Sequence, residues 1–206
     1  MTVSAALLVL DPPVDRLATL LEAIRPVTSD VVIVVDDRTR PETVEVMSTW
    51  RDVTLTTFRW VDDFAAARNQ ALNLCRGDWV LHVDPDEMPS LGMLEFIRSV
   101  DTYPDREWGG WTYRAAQGYL FWTVTYVAGR PVEGNEPDWH CRLFRRSPRN
   151  CWYKRVHEQV MLDGRPESET RESAVLPKAP VGAYLIHSKE DTAAKLGLYT
   201  ALEATA

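Results

Sequence analysis

The sequence predicts an α/β protein: a mostly parallel sheet with helices on both faces, followed by a smaller, mixed, β-rich half. Three observations carry this. Apolar runs and stretches of helical periodicity alternate through about residue 100. The apolar runs are continuous rather than alternating, as in strands covered on both faces. Beyond about residue 105, strand-like segments follow one another without equal helices between them, and five of the eight tryptophans lie there. This marks a change of role within a single domain, 1–206, whose halves are 1–104 and 105–206.

The first strand spans 5–10 and stops hard at Asp11-Pro12-Pro13. Leu17, Leu20, Leu21 and Ile24 then repeat as one helical stripe. Residues 31–35 are β-branched throughout and end in Asp36-Asp37. Pro41 and Glu42 suit the first turn of a helix that carries Val44 and Met47 inward. A third strand covers 53–58. Asp62 or Asp63 caps a helix with Phe64, Ala67, Ala71 and Cys75 on one side, and Gly77 is expected to stop it. A fourth strand, 79–83, runs into Asp84-Pro85-Asp86-Glu87, and Ser90 caps a further helix. Later strands are expected at 111–114, 120–127, 139–145 and 183–187, with a last helix after Ser188.

At 206 residues, with 45% hydrophobic and 26% charged, the chain is long enough for a sizeable core without disulfide staples. A net charge of -7 argues against binding nucleic acid through its phosphates. Cys75, Cys141 and Cys151 show no CxxC pairing, and the apolar run near the N-terminus is too short for a signal peptide or a span. The expectation is a cytoplasmic protein with no membrane span.

Asp84 and Asp86 stand at i and i+2 just beyond an apolar strand, at the edge of a parallel sheet where α/β folds bind ligands. Clustered carboxylates repel one another, and a hard divalent cation relieves the repulsion. An isolated DxD is more often a solvated acidic turn; the strand before it and Glu87 after it favour metal binding. Asp36 ends another strand, so it is placed to accept hydrogen bonds from a nucleoside, or else to cap the next helix. Arg68 and Asn69 are candidates for holding a phosphate or the edge loops. Between Trp139 and His157 lie Arg142, Arg145, Arg146, Arg149, Lys154 and Arg155 with no acidic residue, cationic partners for a diphosphate or a solvated face. Val156-His157-Glu158 offers a general base, and His187 a nitrogen ligand for a metal.

Together these pieces resemble the family 2 glycosyltransferases of GT-A fold. The resemblance rests on Trp60-Val61-Asp62-Asp63-Phe64-Ala65-Ala66-Ala67-Arg68-Asn69-Gln70-Ala71-Leu72, then Gly77-Asp78-Trp79-Val80-Leu81 and the Asp84-Pro85-Asp86-Glu87 motif. Arg142-Leu143-Phe144-Arg145, Val156-His157-Glu158 and His187 match later motifs of one branch. It implies a nucleotide-diphosphate sugar donor, with a UDP-sugar favoured, Mn or Mg, and transfer with inversion to an acceptor hydroxyl. On this reading Asp36, Arg68, Asp84, Arg142 and Arg145 bind the donor, and Asp84, Asp86 and His187 the metal. Glu158 is the base, with Glu87 and Asp138 as competitors. Pro41 departs from the family pattern by standing where a second aspartate is usual. The acceptor is left open among glycan, lipid, protein and modified nucleic acid. A catalytically silent sugar-nucleotide-binding domain and a DxD phosphatase or phosphotransferase are the rival readings.

Overall fold

The computed structural model describes residues 2–100, 107–108, 111–112, 116–127, 130–131, 138–170, 176–180 and 182–189. Four strands, β1 (Val3–Val9), β2 (Asp30–Asp36), β3 (Val53–Phe58) and β4 (Trp79–His82), pair in parallel in the order β3-β2-β1-β4. Helices α1 (Val14–Ile24), α2 (Pro41–Ser48) and α3 (Phe64–Leu74) connect them. A short β5 (Glu87–Pro89) and α4 (Leu91–Ser99) follow, the latter capped by Ser90, whose hydroxyl accepts from Met93 N at 3.1 Å.

The second half adds a two-stranded pair, β6 (Glu107–Trp108) and β7 (Trp111–Thr112), then β8 (Gly118–Val127), β9 (Arg130–Pro131) and β10 (Asp138–Arg145). A separate three-stranded sheet follows from β11 (Cys151–Tyr153), β12 (Gln159–Leu162) and β13 (Arg165–Pro166), with α5 (Glu167–Thr170), before β14 (Tyr184–Lys189) returns to the main sheet. The main order is β3-β2-β1-β4-β10-β8-β14-β5, with β9 beside β8. Because β10 is antiparallel to both β4 and β8, β8 runs with the parallel half, as does β14. The carboxyl ends of β1, β2, β4, β8 and β14 therefore share one edge with the amino end of β10.

Period-two alternation sends one set of strand side chains to each face. Ala5, Leu7, Val9, Ile33, Val35 and Leu81 meet Leu17, Leu20 and Ile24 of α1, Met47 of α2 and Met93, Phe96 and Ile97 of α4. Ala6, Val32, Val34 and Val80 meet Ala65, Ala71 and Leu72 of α3, together with Trp152, Val160 and Leu162 of the small sheet. Each of the large aliphatic side chains buried here contributes about 1.5–3 kcal/mol. Helices thus cover both faces of the parallel half as the apolar runs require. The small sheet was not expected; residues 151–166 read in sequence as a basic cluster and a His-Glu pair. The helix expected after Ser188 lies outside the described residues.

Gly77 does not stop α3. The helix ends at Leu74, and Cys75 already has extended backbone. The glycine serves a close approach to β1: a Cβ there would lie 2.6 Å from Ser4 N. Ser4 Oγ accepts from Arg76 N at 3.0 Å and Gly77 N at 2.7 Å and donates to Asp30 Oδ1 at 2.7 Å, tying three chain segments at the amino edge. Gly77→Ala should therefore destabilise the fold by about 1–3 kcal/mol, the usual range for overpacking, read as a lower midpoint in chemical denaturation; an unchanged midpoint would show that β1 can yield at Ser4.

Candidate functional site

The DPDE turn closes on itself at the carboxyl edge. Glu87 N donates to Asp84 O, and Asp84 N to Glu87 Oε2, both at 3.0 Å. Glu87 is buried, and its second oxygen takes Arg142 Nη2. Arg142 reaches this place because β10 carries an irregularity between Cys141 and Leu143 where it pairs with β8. A bulge of this kind re-aims a side chain. Its Nη1 donates to Asp84 Oδ2 at 3.3 Å, while Nε has no hydrogen-bond partner among the described residues.

Arg68 approaches from the other side. It sits on α3, whose N-terminus is capped by Asp63, with Oδ1 accepting from Ala66 N at 2.9 Å. Arg68 Nη1 donates to Asp84 Oδ1 at 3.1 Å, so each Asp84 oxygen is held by a different guanidinium. Nε and Nη2 both reach Glu158 Oε1, at 2.6 and 2.5 Å. Glu158 lies on the turn between β11 and β12, where Lys154 and His157 take left-handed backbone at φ 69° and 51°. Asn69 fastens that small sheet to α3: its amide donates to Trp152 O at 2.9 Å and accepts from Trp152 N at 2.8 Å. The Arg-Asn pair thus splits its work, arginine to the carboxylates and asparagine to the scaffold.

The sequence reading missed His82. It is buried at the end of β4, with Nε2 against Arg68 Nη1 and 3.4 Å from Asp84 Oδ1, and its ring meets Trp152 edge-on at 4.9 Å. The signal was present: a lone polar residue in an apolar strand, two positions before Asp84 and hence on its face. Burial, then the Arg68 cation, hold His82 well below the ordinary histidine range. Burial pushes the Glu87 carboxyl up, against the pull of Arg142. For Arg142 burial works against the charge, but Glu87 and Asp84 more than offset it and keep the guanidinium charged.

Asp86 and His187 form a second group: His187 Nε2 is 3.0 Å from Asp86 Oδ2, and Arg16 Nη2 donates to Asp86 O at 2.7 Å. Pairing of β14 with β5 sets His187 opposite Glu87. Among the described residues, no three His, Cys, Asp or Glu side chains form a complete metal cage. Asp36 lies on the same edge, two strands from β4, or about 10 Å at the usual inter-strand spacing. It is buried, and Arg38 grips it through Nε to Oδ1 at 2.8 Å and Nη2 to Oδ2 at 2.5 Å. The Arg38 guanidinium lies 4.6 Å over the Trp60 ring, and Trp60 N donates to Asp37 Oδ1 at 3.0 Å.

Arg145 is not brought to this site. β10 is antiparallel to β4, and Arg145 pairs with Trp79 at the amino end of that strand, where its guanidinium covers the Trp79 ring at 4.6 Å. Arg146 donates to Gly77 O, Arg149 to Asp163 O and Arg155 to Asp62 O. Of the basic cluster, Arg142 is the member on the carboxylates. Asp138, mostly exposed, pairs with His140 at 2.8 Å.

The Glycosyl transferase family 2 model matches residues 14–155, more than half of the chain and the whole span from α1 to the turn that carries Glu158. The chain belongs to glycosyl transferase family 2. This glycosyltransferase domain is 38% identical over 76 residues to a TPR repeat-containing protein of Synechococcus elongatus, a stretch that covers 37% of the chain and 19% of that protein. Its fold is similar to crystal structures of S. aureus TarS. Residues 1–349 in complex with UDP-GlcNAc give a TM-score of 0.59 at 13% identity, over 93% of this chain and 60% of that one. A second TarS structure gives 0.52 at 14% identity, over 94% and 36%. The chain therefore spans less than two thirds of each of these relatives. The structural likeness supports the GT-A fold predicted from the motifs. No described helix is long and apolar enough to cross a membrane.

His82 gives the domain a pH signature. Folded, it resists protonation; unfolded, it takes a proton near 6.5, so the unfolded state binds more protons and stability is lost as pH falls below that value. Glu87 acts oppositely above 4.5. In urea unfolding, wild type should lose up to about 1.4 kcal/mol more per pH unit below 6.5 than His82→Leu; parallel profiles for the two proteins would contradict a buried neutral imidazole.

Proposed function

We propose that this family 2 domain transfers a sugar from a nucleotide-diphosphate sugar, a UDP-sugar first among candidates, to an acceptor hydroxyl, by metal-assisted single displacement with inversion. The observation that carries this reading is the convergence at one sheet edge of Asp36, the Asp84–Asp86 turn and two buried arginines from opposite halves of the chain. UDP is favoured because the similar TarS structure is a complex with UDP-GlcNAc.

The residues fit a divalent cation. Asp86 Oδ2 and His187 Nε2 are 3.0 Å apart. That is the separation of two neighbouring ligands at about 2.1 Å from one ion. The carboxylate suits manganese or magnesium, and the imidazole a first-row transition ion. Asp86 and His187 would hold the ion, with Asp84 beside them, and donor oxygens would complete a shell the protein leaves incomplete. Bound there, the cation would neutralise charge on the departing diphosphate. Arg68 and Arg142 add fixed positive charge at the same edge, needing no reorganisation as the leaving group develops. Asp36 and Arg38 face the nucleoside end.

Glu158 is the proposed base. Glu87 uses one oxygen on Arg142 and the other on Asp84 N, which makes it the brace of the turn. Glu158 receives Arg68 Nε and Nη2 on Oε1. An aspartyl-nucleophile reading gains no support, since both Asp84 oxygens are occupied by guanidinium groups.

A thermal-shift screen of UDP, GDP, CDP and ADP, each with and without Mn, tests the donor reading. A true ligand at 100 times its Kd adds about 2.7 kcal/mol; no shift with any nucleotide would end it. Asp86→Ala should unfold like wild type yet lose the Mn-dependent part of the shift and most turnover. Full turnover by Asp86→Ala under chelator would remove the metal from the mechanism. Glu158→Gln keeps the Arg68 hydrogen bond and should retain nucleotide affinity while turnover falls roughly 10²–10⁴-fold, the usual range for general base catalysis. If nucleotide affinity falls instead, Glu158 serves to hold Arg68 and the base lies elsewhere.

A further inference from the structure

We propose that His82 is a positioning residue that fixes the Arg68 guanidinium at the sheet edge, where, on the reading above, the donor diphosphate lies. β4 is otherwise apolar: Trp79, Val80, Leu81 and the following Val83 are each about 1% exposed. His82 pairs in register with Ala6 of β1, at the strand end that faces α3. The ring also makes a hydrogen bond to the Ala6 backbone, while by volume alone a leucine would fill a comparable space. The imidazole's side-chain hydrogen-bond contact is with Arg68, in the charged network.

Arg68 occupies a four-sided box. The Trp152 ring lies 5.2 Å from its central carbon, Glu158 takes Nε and Nη2, and Asp84 and His82 share Nη1. The Asp84 contact is long, at 3.1 Å, and that carboxylate is divided with Arg142. His82 is the support that Nη1 shares with no other arginine. A guanidinium has only donors, so the nitrogen facing it must accept and the ring carries its proton on the other side. Trp152, clamped through its backbone by Asn69, meets the same ring edge-on. At 2% exposure His82 cannot touch a ligand, so it acts through Arg68.

The test is a double-mutant cycle of His82→Leu with Arg68→Lys. Affinity for whichever of UDP, GDP, CDP or ADP binds wild type with Mn is measured by titration calorimetry, beside thermal midpoints. His82→Leu should keep or raise the midpoint while weakening nucleotide binding about tenfold, within the range of coupling between contacting residues. His82→Gln, which returns an acceptor at the position of Nε2, should recover most of that loss. In the Arg68→Lys background, His82→Leu should add no further loss. Should leucine disturb the strand, His82→Met replaces it in the same cycle. Wild-type affinity in His82→Leu, or an equal loss with and without Arg68, overturns the proposal. If wild type binds none of the four nucleotides, the donor reading has failed on its own, and the cycle is read on the midpoints. Non-additive shifts then support the positioning role and additive shifts overturn it.

Discussion

Everything at this sheet edge depends on keeping two buried guanidinium groups charged among carboxylates. Arg68 and Arg142 are each about nine-tenths buried, and between them they contact Asp84, Glu87 and Glu158. Removing one partner of such a set leaves an uncompensated buried charge, a penalty of about 3–5 kcal/mol. Apolar residues of equal volume would be as stable or more so. The cluster is therefore weak evidence for stability and better evidence for a site. It holds cations at the sheet edge, and holds carboxylates without letting them repel one another apart.

The topology explains why these charges meet. Arg68 and Asp84 belong to the parallel half, but Arg142 and Glu158 come from beyond residue 140. They arrive because β10 inserts antiparallel against β4, and because the small sheet of β11 to β13 packs on α3. Both of the expected halves, 1–104 and 105–206, thus send side chains to this edge. The β10 irregularity, the Asn69 clamp and the left-handed residues before Glu158 are local devices serving one end: they point side chains from the second half into a site begun by the first.

The parallel half was legible because its signals are strong. Continuous β-branched runs, helical stripes at Leu17 to Ile24 and the Ser90 cap all state their own structure locally, and the DPDE turn follows directly from the end of β4. What sequence could not supply was the direction of a strand. Arg142 and Arg145 look alike as members of one basic cluster. Only the antiparallel entry of β10 puts the first at the carboxyl edge and the second over Trp79 at the opposite one. Residues 151–166 hid their strands for another reason. Each is four residues or fewer, and the covering side chains, Trp152, Val160 and Leu162, are too few to show a period. His82 shows in sequence only as one polar residue in an apolar strand; its meaning lies in Arg68, fourteen positions earlier.

Asp36 shows how a residue can reach its expected place and still not be free to act as expected. Its carboxylate accepts Arg38 N, Nε and Nη2, so both oxygens are engaged before any nucleoside arrives. Asp36 is 3% exposed, while the Arg38 side chain that covers it is 44% exposed and lies on Trp60. What covers Asp36 on the solvent side is therefore a guanidinium backed by an indole, with the exposed Asp37 beside it. Charge-assisted bidentate pairs are among the stronger hydrogen bonds a protein makes. A ligand that sought the Asp36 oxygens would first have to break one, whereas a ligand with its own carbonyl or phosphate oxygens could use the outward donors of Arg38 and leave the pair intact. At the end of β2, then, the acidic Asp36 serves as the anchor of the basic Arg38.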